Sequence, residues 1–183
     1  KADGDIWYER RKIALQNVHT NKTKLISEAK DRNKVTSLAV FKPREVTEFK
    51  VEPTKREWDR KKIERLRQMN LFEKPTSSNK FEVVRKLPYK FSYTFLDDEG
   101  APSTLMIEDW EIGQLYWNSL RRKNGDEKQA CEDVKKKYFD DFAKKKDLYL
   151  FLGTTKVNHF RAPNPFVIIG TFHPKPITQT RLF

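Results

Sequence analysis

FEVVRKLPYKFSYTF, residues 81–95, places Phe81, Val83, Leu87, Tyr89, Phe91, Tyr93 and Phe95 on one parity. Successive side chains of a strand point to opposite faces, so this alternation predicts a long strand with one buried face. Pro88 falls on the other parity and lacks a backbone donor, which marks a bulge or an edge position. Asp97-Asp98-Glu99-Gly100 then reads as a turn, and Thr104 to Ile107 returns as the partner strand of a hairpin.

Downstream, Glu111 to Arg122 has Ile112, Leu115, Tyr116 and Leu120 at helical spacing, and Asn124-Gly125 suits a left-handed cap after its end. Asp126 with Gln129 three residues on is a capping-box pattern opening a second helix. Cys131, Val134, Tyr138 and Phe142 mark that helix's buried side, with Lys135, Lys136 and Lys137 on the exposed one. Leu148 to Leu152 and Phe166 to Phe172 are nearly continuous apolar runs, as expected for strands inside a covered sheet. The C-terminal part therefore reads β-β-α-α-β-β. The fold class is α+β, with a mixed, mainly antiparallel sheet covered by helices, and no internal repeat.

Upstream, Asp5 is the expected cap of an amphipathic helix using Ile6, Trp7, Tyr8, Ile13, Ala14, Leu15 and Val18, with Glu9, Arg10, Arg11 and Lys12 on its polar side. Thr20 to Lys34 offers only Leu25, Ile26 and Ala29 for burial and is expected as a loop or a weakly packed short helix. Thr36 to Phe41 and Val46 to Val51 are short strands separated by a bend at Lys42-Pro43-Arg44. KREWDRKKIERLRQM, residues 55–69, is rich in helix formers, with Trp58, Ile63, Leu66 and Met69 as its narrow apolar stripe. PTSSN at 75–79 is the best linker, dividing a basic helical and short-strand region (1–75) from an α+β core domain (80–183).

The chain carries 38 Lys and Arg against 26 Asp and Glu, a formal charge of +12, so an anionic partner is expected. Disorder is excluded by 13 Phe, 6 Tyr and 4 Trp, although 35% of residues are charged. Cys131 is the one cysteine, which rules out an internal disulfide and zinc sites built from several cysteines, and points to a reducing compartment. Neither an apolar run long enough to span a bilayer nor a signal-like start is visible, so a cytoplasmic protein without membrane contact is expected. Lys1 in place of an initiating methionine is expected of a fragment.

Lys55, Arg56, Arg60, Lys61, Lys62, Arg65 and Arg67 outnumber Glu57, Asp59 and Glu64 in the basic helix. Such density suits a phosphate backbone, where each neutralised phosphate releases a counterion, although part of the charge is explained by i,i+4 pairs such as Glu57 with Lys61. Arg10, Arg11 and the Lys135–Lys137 triplet are further candidate contacts. Phe160 and Arg161 lie beside His159 in what is expected to be an exposed loop, with a ring and a guanidinium able to hold an unpaired base. Glu108, Asp109 and Glu111 form the most enzyme-like cluster, since nucleases hold Mg²⁺ with carboxylates at strand ends. A helix cap at Asp109 with an acidic first turn explains them more simply. His19, His159 and His173 have no second ligand at helical or strand spacing, and Gly153-Thr154-Thr155 lacks the pattern of a phosphate-binding loop. No cofactor and no metal are expected.

Four stretches, KLPYKFSYTF (86–95), STLMIEDWEIGQLYW (103–117), DLYLFLGTT (147–155) and NPFVIIG (164–170), resemble an uncharacterised family of basic bacterial and archaeal proteins. The likeness runs from about Lys86 to Pro174, and more weakly through DIWYERR (5–11), SLAVFKPREV (37–46) and EW (57–58). The resemblance implies a further N-terminal β-rich segment not present in this chain, and a place as an accessory subunit beside nucleic-acid-processing enzymes. It adds no catalytic residue.

The expected function is thus non-catalytic binding of DNA or RNA through basic helices, within a nucleic-acid-processing complex. The alternatives are a metal-dependent nuclease or nucleotide-processing enzyme using Glu108, Asp109 and Glu111, and a subunit that docks on a larger protein through Trp7, Trp58 or Trp117.

Overall fold

The computed structural model describes residues 9–61, 63–64 and 85–174. It is an α+β protein with the element order expected for its C-terminal part. The chain forms two compact units, Lys1–Val51 with Phe91–Phe183, and Glu52–Lys90. The boundary expected near residue 75 is thus replaced by a different division, because strands from the N-terminal third pair with strands from the C-terminal third.

In the larger unit, β1 (Val18–His19), β2 (Leu38–Phe41), β6 (Tyr149–Thr154) and β7 (Phe166–Phe172) form one sheet in the order β1-β2-β6-β7. β1 runs parallel to β2, and the other pairs are antiparallel. β3 (Glu45–Pro53), β4 (Tyr89–Leu96) and β5 (Pro102–Met106) form the second sheet. The single sheet expected from the sequence is therefore two, and Pro43 is the reason. Proline cannot donate to a ladder, so the chain turns at Lys42-Pro43-Arg44, leaving the first sheet at Phe41 and entering the second at Glu45. The Arg44 amide donates to the Leu96 carbonyl at 2.9 Å, which starts the new pairing. The sheets also meet at a second corner, where Ile107 bridges Ile168 and the Glu108 amide donates to the Ile168 carbonyl at 2.7 Å.

β4 follows the parity read from the sequence over its second half, with Phe91, Tyr93 and Phe95 buried. It begins at Tyr89, just after Pro88, whose carbonyl accepts from the Thr54 amide at 2.8 Å. Residues 81–84 of the expected strand lie outside the described residues.

The expected helix through Val18 is shorter: helical backbone covers residues 9–14, and Val18 and His19 pair with Val40 and Phe41 instead. Ile13, expected inward, is exposed, and Asp5, Ile6, Trp7 and Tyr8 lie outside the described residues. Polar residues 20–34 do contain a short helix, α1 (Lys22–Lys30), because the Asn21 side chain accepts from the Lys24 amide and Leu25 and Ala29 are fully buried.

α2 (Trp110–Arg122) is capped by Asp109 and is followed by Asn124 and Gly125, both at positive φ, as their sequence predicts. α3 (Glu127–Lys135) opens at Asp126, whose carboxylate accepts from both the backbone amide and the side-chain amide of Gln129. It runs into a π-helix over Lys136–Ala143. Val134, Tyr138 and Phe142 recur every four residues, and on an α-helix each step of four drifts by about 40° around the axis. The wider π turns reverse that drift, so all three stay buried. Cys131 is only half-buried, its expected inward place being taken by Ala130.

Asp97, in the β4–β5 turn, is fully buried. Its carboxylate accepts from the amides of Ala101 at 2.8 Å, Glu99 at 3.1 Å and Lys22 at 3.3 Å, tying the turn to the start of α1. Replacing one partner would strand three donors, so Asp97→Ala is expected to lower unfolding free energy by about 2–4 kcal/mol. Urea denaturation checks this, and a loss below about 0.5 kcal/mol would show that the turn is held by other means.

Candidate nucleic-acid interface

In the Glu52–Lys90 unit, Asp59 sets the local geometry. Its carboxylate accepts from the Lys61 amide at 2.8 Å and its carbonyl from the Ile63 amide at 3.1 Å, so the basic helix begins at Asp59 rather than at Lys55. Lys55, Arg56, Glu57 and Trp58 consequently precede the helix. Trp58, expected on the buried stripe, is 41% exposed. Together with Lys86 these residues line an open groove of ≈ 630 Å³. The Lys86 ammonium lies 5.8 Å from the Trp58 ring centroid and donates to the Glu57 carbonyl at 3.4 Å. Arg60 and Lys61 are exposed on the first helical turn. Lys62, Arg65 and Arg67, along with Leu66 and Met69, lie outside the described residues.

Neighbouring carboxylates engage several of the other expected contacts. In the larger unit, Asp147 accepts from Lys42 and stands 3.6 Å from Arg11, and Lys42 also lies 4.6 Å from the Tyr149 ring centroid. Arg10 is exposed. Lys135 and Lys136 are exposed too, but Lys137 pairs with Asp141 at 2.8 Å and lies over the Phe142 ring. The hydrogen bond from Lys137 holds the Asp141 carboxyl below its ordinary value. Lys144 is likewise paired, with Asp140 at 3.3 Å. The triplet at 135–137 is thus two exposed cations and a neutralised one. It sits on the larger unit, whereas Lys55 to Lys61 belong to the smaller.

Phe160 is 56% exposed and Arg161 is exposed, as expected, but His159 is not: only 6% of it meets solvent. One ring nitrogen lies 2.7 Å from the Thr154 hydroxyl and the other 2.7 Å from the Ala29 carbonyl at the end of α1. The histidine therefore pins the 155–165 connection to the body and sets Phe160 outward, edge-on to its own ring at 4.5 Å. Thr154 is thereby engaged as an anchor, and a methyl group at Gly153 would press on Ile169 at 3.0 Å.

At 108–111 the structure contains the helix cap that the simpler reading expected. Asp109 accepts from the Glu111 amide at 3.0 Å and caps α2. Its second oxygen stands 3.5 Å from the Tyr138 hydroxyl, which burial, with help from Asp109, holds protonated well above the ordinary tyrosine value. Among the described residues no three His, Cys, Asp or Glu side chains are grouped so as to hold a metal ion. His173 stacks on Phe142 with centroids 3.6 Å apart, and burial lowers its pKa. His19 borders a larger groove of ≈ 1040 Å³, but there Glu28, Asp31, Asp98 and Glu99 oppose Lys24 and Lys34, which makes it a poor seat for phosphate.

A helix starting at Lys55 would hide the Trp58–Lys86 pair, which the helix start at Asp59 leaves together. The available signal was Asp59, a strong cap, directly after the tryptophan. If His159 is the anchor of its loop, His159→Ala should lower stability by about 1–3 kcal/mol and speed amide exchange across 155–165. Exchange at the parent rate in that variant would remove the histidine from this role.

No curated protein and no solved structure matches the chain. Residues 18–183 match the family described as Domain of unknown function (DUF8757), a span that takes in most of the 183 residues, and the chain therefore belongs to that family.

Proposed function

We propose that this protein binds nucleic acid chiefly through the phosphate backbone, as an accessory subunit of a nucleic-acid-processing complex, with the exposed cations of residues 55–61 as its main contact. The observation that carries this reading is the grouping of Lys55, Arg56, Arg60 and Lys61 at an exposed helix start, beside an open groove that also contains Lys86. In the larger unit, Arg11, Lys42, Lys137 and Lys144 are matched by Asp147, Asp141 and Asp140, which leaves Lys135, Lys136 and Arg161 as its supporting contacts. A formal charge of +12 steers any polyanion toward the molecule.

A second reading, contact with a larger protein, is favoured by one patch of the β1-β2-β6-β7 sheet. Leu38 lies opposite Gly153, and the Ile169 side chain folds over that same glycine, yet Leu38 and Ile169 are both exposed. Apolar side chains clustered on an open sheet face suit a protein neighbour better than a phosphate chain.

Backbone binding has a measurable signature. Affinity for duplex should fall with salt with a log–log slope of about −0.9 per phosphate neutralised. Charge reversal by Lys55→Glu, Arg60→Glu and Lys61→Glu together should flatten that slope by about two to three phosphates' worth. Filter binding over a salt series reads both values. A triple variant whose slope equals the parent's would take this segment out of the interface.

A further inference from the structure

The groove around Trp58 differs from the rest of the cationic surface, because it presents an aromatic face and two carboxylates among its lysines and arginine. A surface meant only for phosphates gains nothing from Glu57, which repels them, or from an indole 41% exposed to water. An unpaired base uses both. Its π-face stacks on a ring, its exocyclic amino groups donate to carboxylates, and its own phosphate meets the adjacent cations. In a duplex those faces are already stacked on neighbouring bases, and the groove would find only backbone.

The tryptophan is also held in place before any ligand arrives. Asp59 fixes the backbone on one side of it by capping the helix, and the Lys86 ammonium sits between the Glu57 carbonyl and the indole. At the other end of the segment the Thr54 amide donates to the Pro88 carbonyl at 2.8 Å, and Lys90 pairs with Glu52 at 2.8 Å. A platform ordered in this way loses little conformational freedom when a base stacks on it. The volume of ≈ 630 Å³ falls within the range of about 300–1,000 Å³ that encloses a small organic ligand, the size class of a nucleotide.

From this geometry we infer that the protein takes single-stranded nucleic acid in preference to duplex, with Trp58 as the stacking platform for one base and Lys55, Arg56 and Lys86 as the contacts for its flanking phosphates. The inference rests on the backbone-binding reading above and sharpens it by naming the strand state of the ligand.

The test uses the full chain and fluorescence anisotropy with labelled oligodeoxycytidylate and oligocytidylate of about 15 nucleotides, whose bases carry an exocyclic amino group, a span within the range of known single-strand sites. A blunt duplex of mixed sequence and equal length is the comparison, at about 50 and about 200 mM salt. The expected result is tighter binding of at least one single strand than of the duplex. Trp58→Ala should weaken single-strand binding by about 5- to 100-fold, as expected for the loss of one stacked base, with duplex affinity unchanged. Trp58→Phe, which keeps a ring, should recover most of the loss. Matching thermal transitions for the three proteins would show that the side chain acts on the ligand and not on folding.

Duplex bound as tightly as both single strands would overturn the inference and leave the backbone reading intact. So would a Trp58→Ala variant that binds single strands like the parent, or that weakens on both ligands equally. Failure of the parent to bind any oligonucleotide at the lower salt would overturn both.

Discussion

Phe41 and Phe95, with ring centroids 5.4 Å apart, lie where the chain is obliged to change sheets. One residue after Phe41 the backbone reaches Lys42 and then Pro43, and a strand that continued straight would place an unpaired position in the ladder. The bend moves the next residues onto β4, which brings Phe49 against Phe91 at 5.9 Å and Tyr93 at 5.6 Å. The inward rings of both sheets then face a shared interior, and the second corner at Ile107 and Ile168 joins the sheets on their other side. Most of the remaining architecture follows from covering what is left. Tyr116 of α2 packs on Phe91, and Tyr138 of the π-helix packs on Phe49 and accepts through its carbonyl from the Tyr93 hydroxyl at 2.6 Å.

That last bond shows why the helical layer is irregular. Tyr93 is fully buried, and a buried hydroxyl without a partner costs free energy comparable to a lost hydrogen bond. The wide turns of Lys136–Ala143 keep Tyr138 and Phe142 on the covered side and offer a carbonyl to that hydroxyl. Burial accordingly holds the Tyr93 proton far above its ordinary value, so it remains a donor across the physiological range. The same turns put Lys137 and Lys144 on the outer side within reach of Asp141 and Asp140, which explains why this lysine-rich stretch is poorer in available charge than its sequence suggests.

The elements most legible in the sequence were those whose signals are local. The β4–β5 hairpin, the Asp109 and Asp126 caps, the Asn124-Gly125 ending and the extent of β7 all depend on residues within a few positions of one another. What escaped was decided at long range. Val18 joins β2 across more than a helix's length of chain, His159 is buried by the end of α1, and the two-sheet division needs Phe41 and Phe95 to meet. The site shows the same split. That residues 55–61 are cationic and exposed could be read directly, whereas the exposure of Trp58 depended on which of Lys55 or Asp59 starts the helix, a matter of one hydrogen bond.

Charge in this molecule is therefore better judged by pairing than by count. Asp147 engages Arg11 and Lys42, Asp141 engages Lys137, and Glu52 engages Lys90. A pair as open to solvent as Lys90–Glu52 contributes little to stability, about 0–1 kcal/mol, so its main physical effect is to subtract from the field that a polyanion meets. Lys55, Arg60 and Lys61 sit on a short stretch that also carries Glu57 and Asp59, and the Asp59 carboxylate accepts from the Lys61 amide. Under the proposed function, a phosphate approaching that stretch would exchange water and counterions for Lys55 ahead of the helix and for Arg60 and Lys61 on its first turn. Under the same proposal, binding there would draw directly on counterion release, whereas at Lys137 a phosphate would first have to separate the Lys137–Asp141 pair.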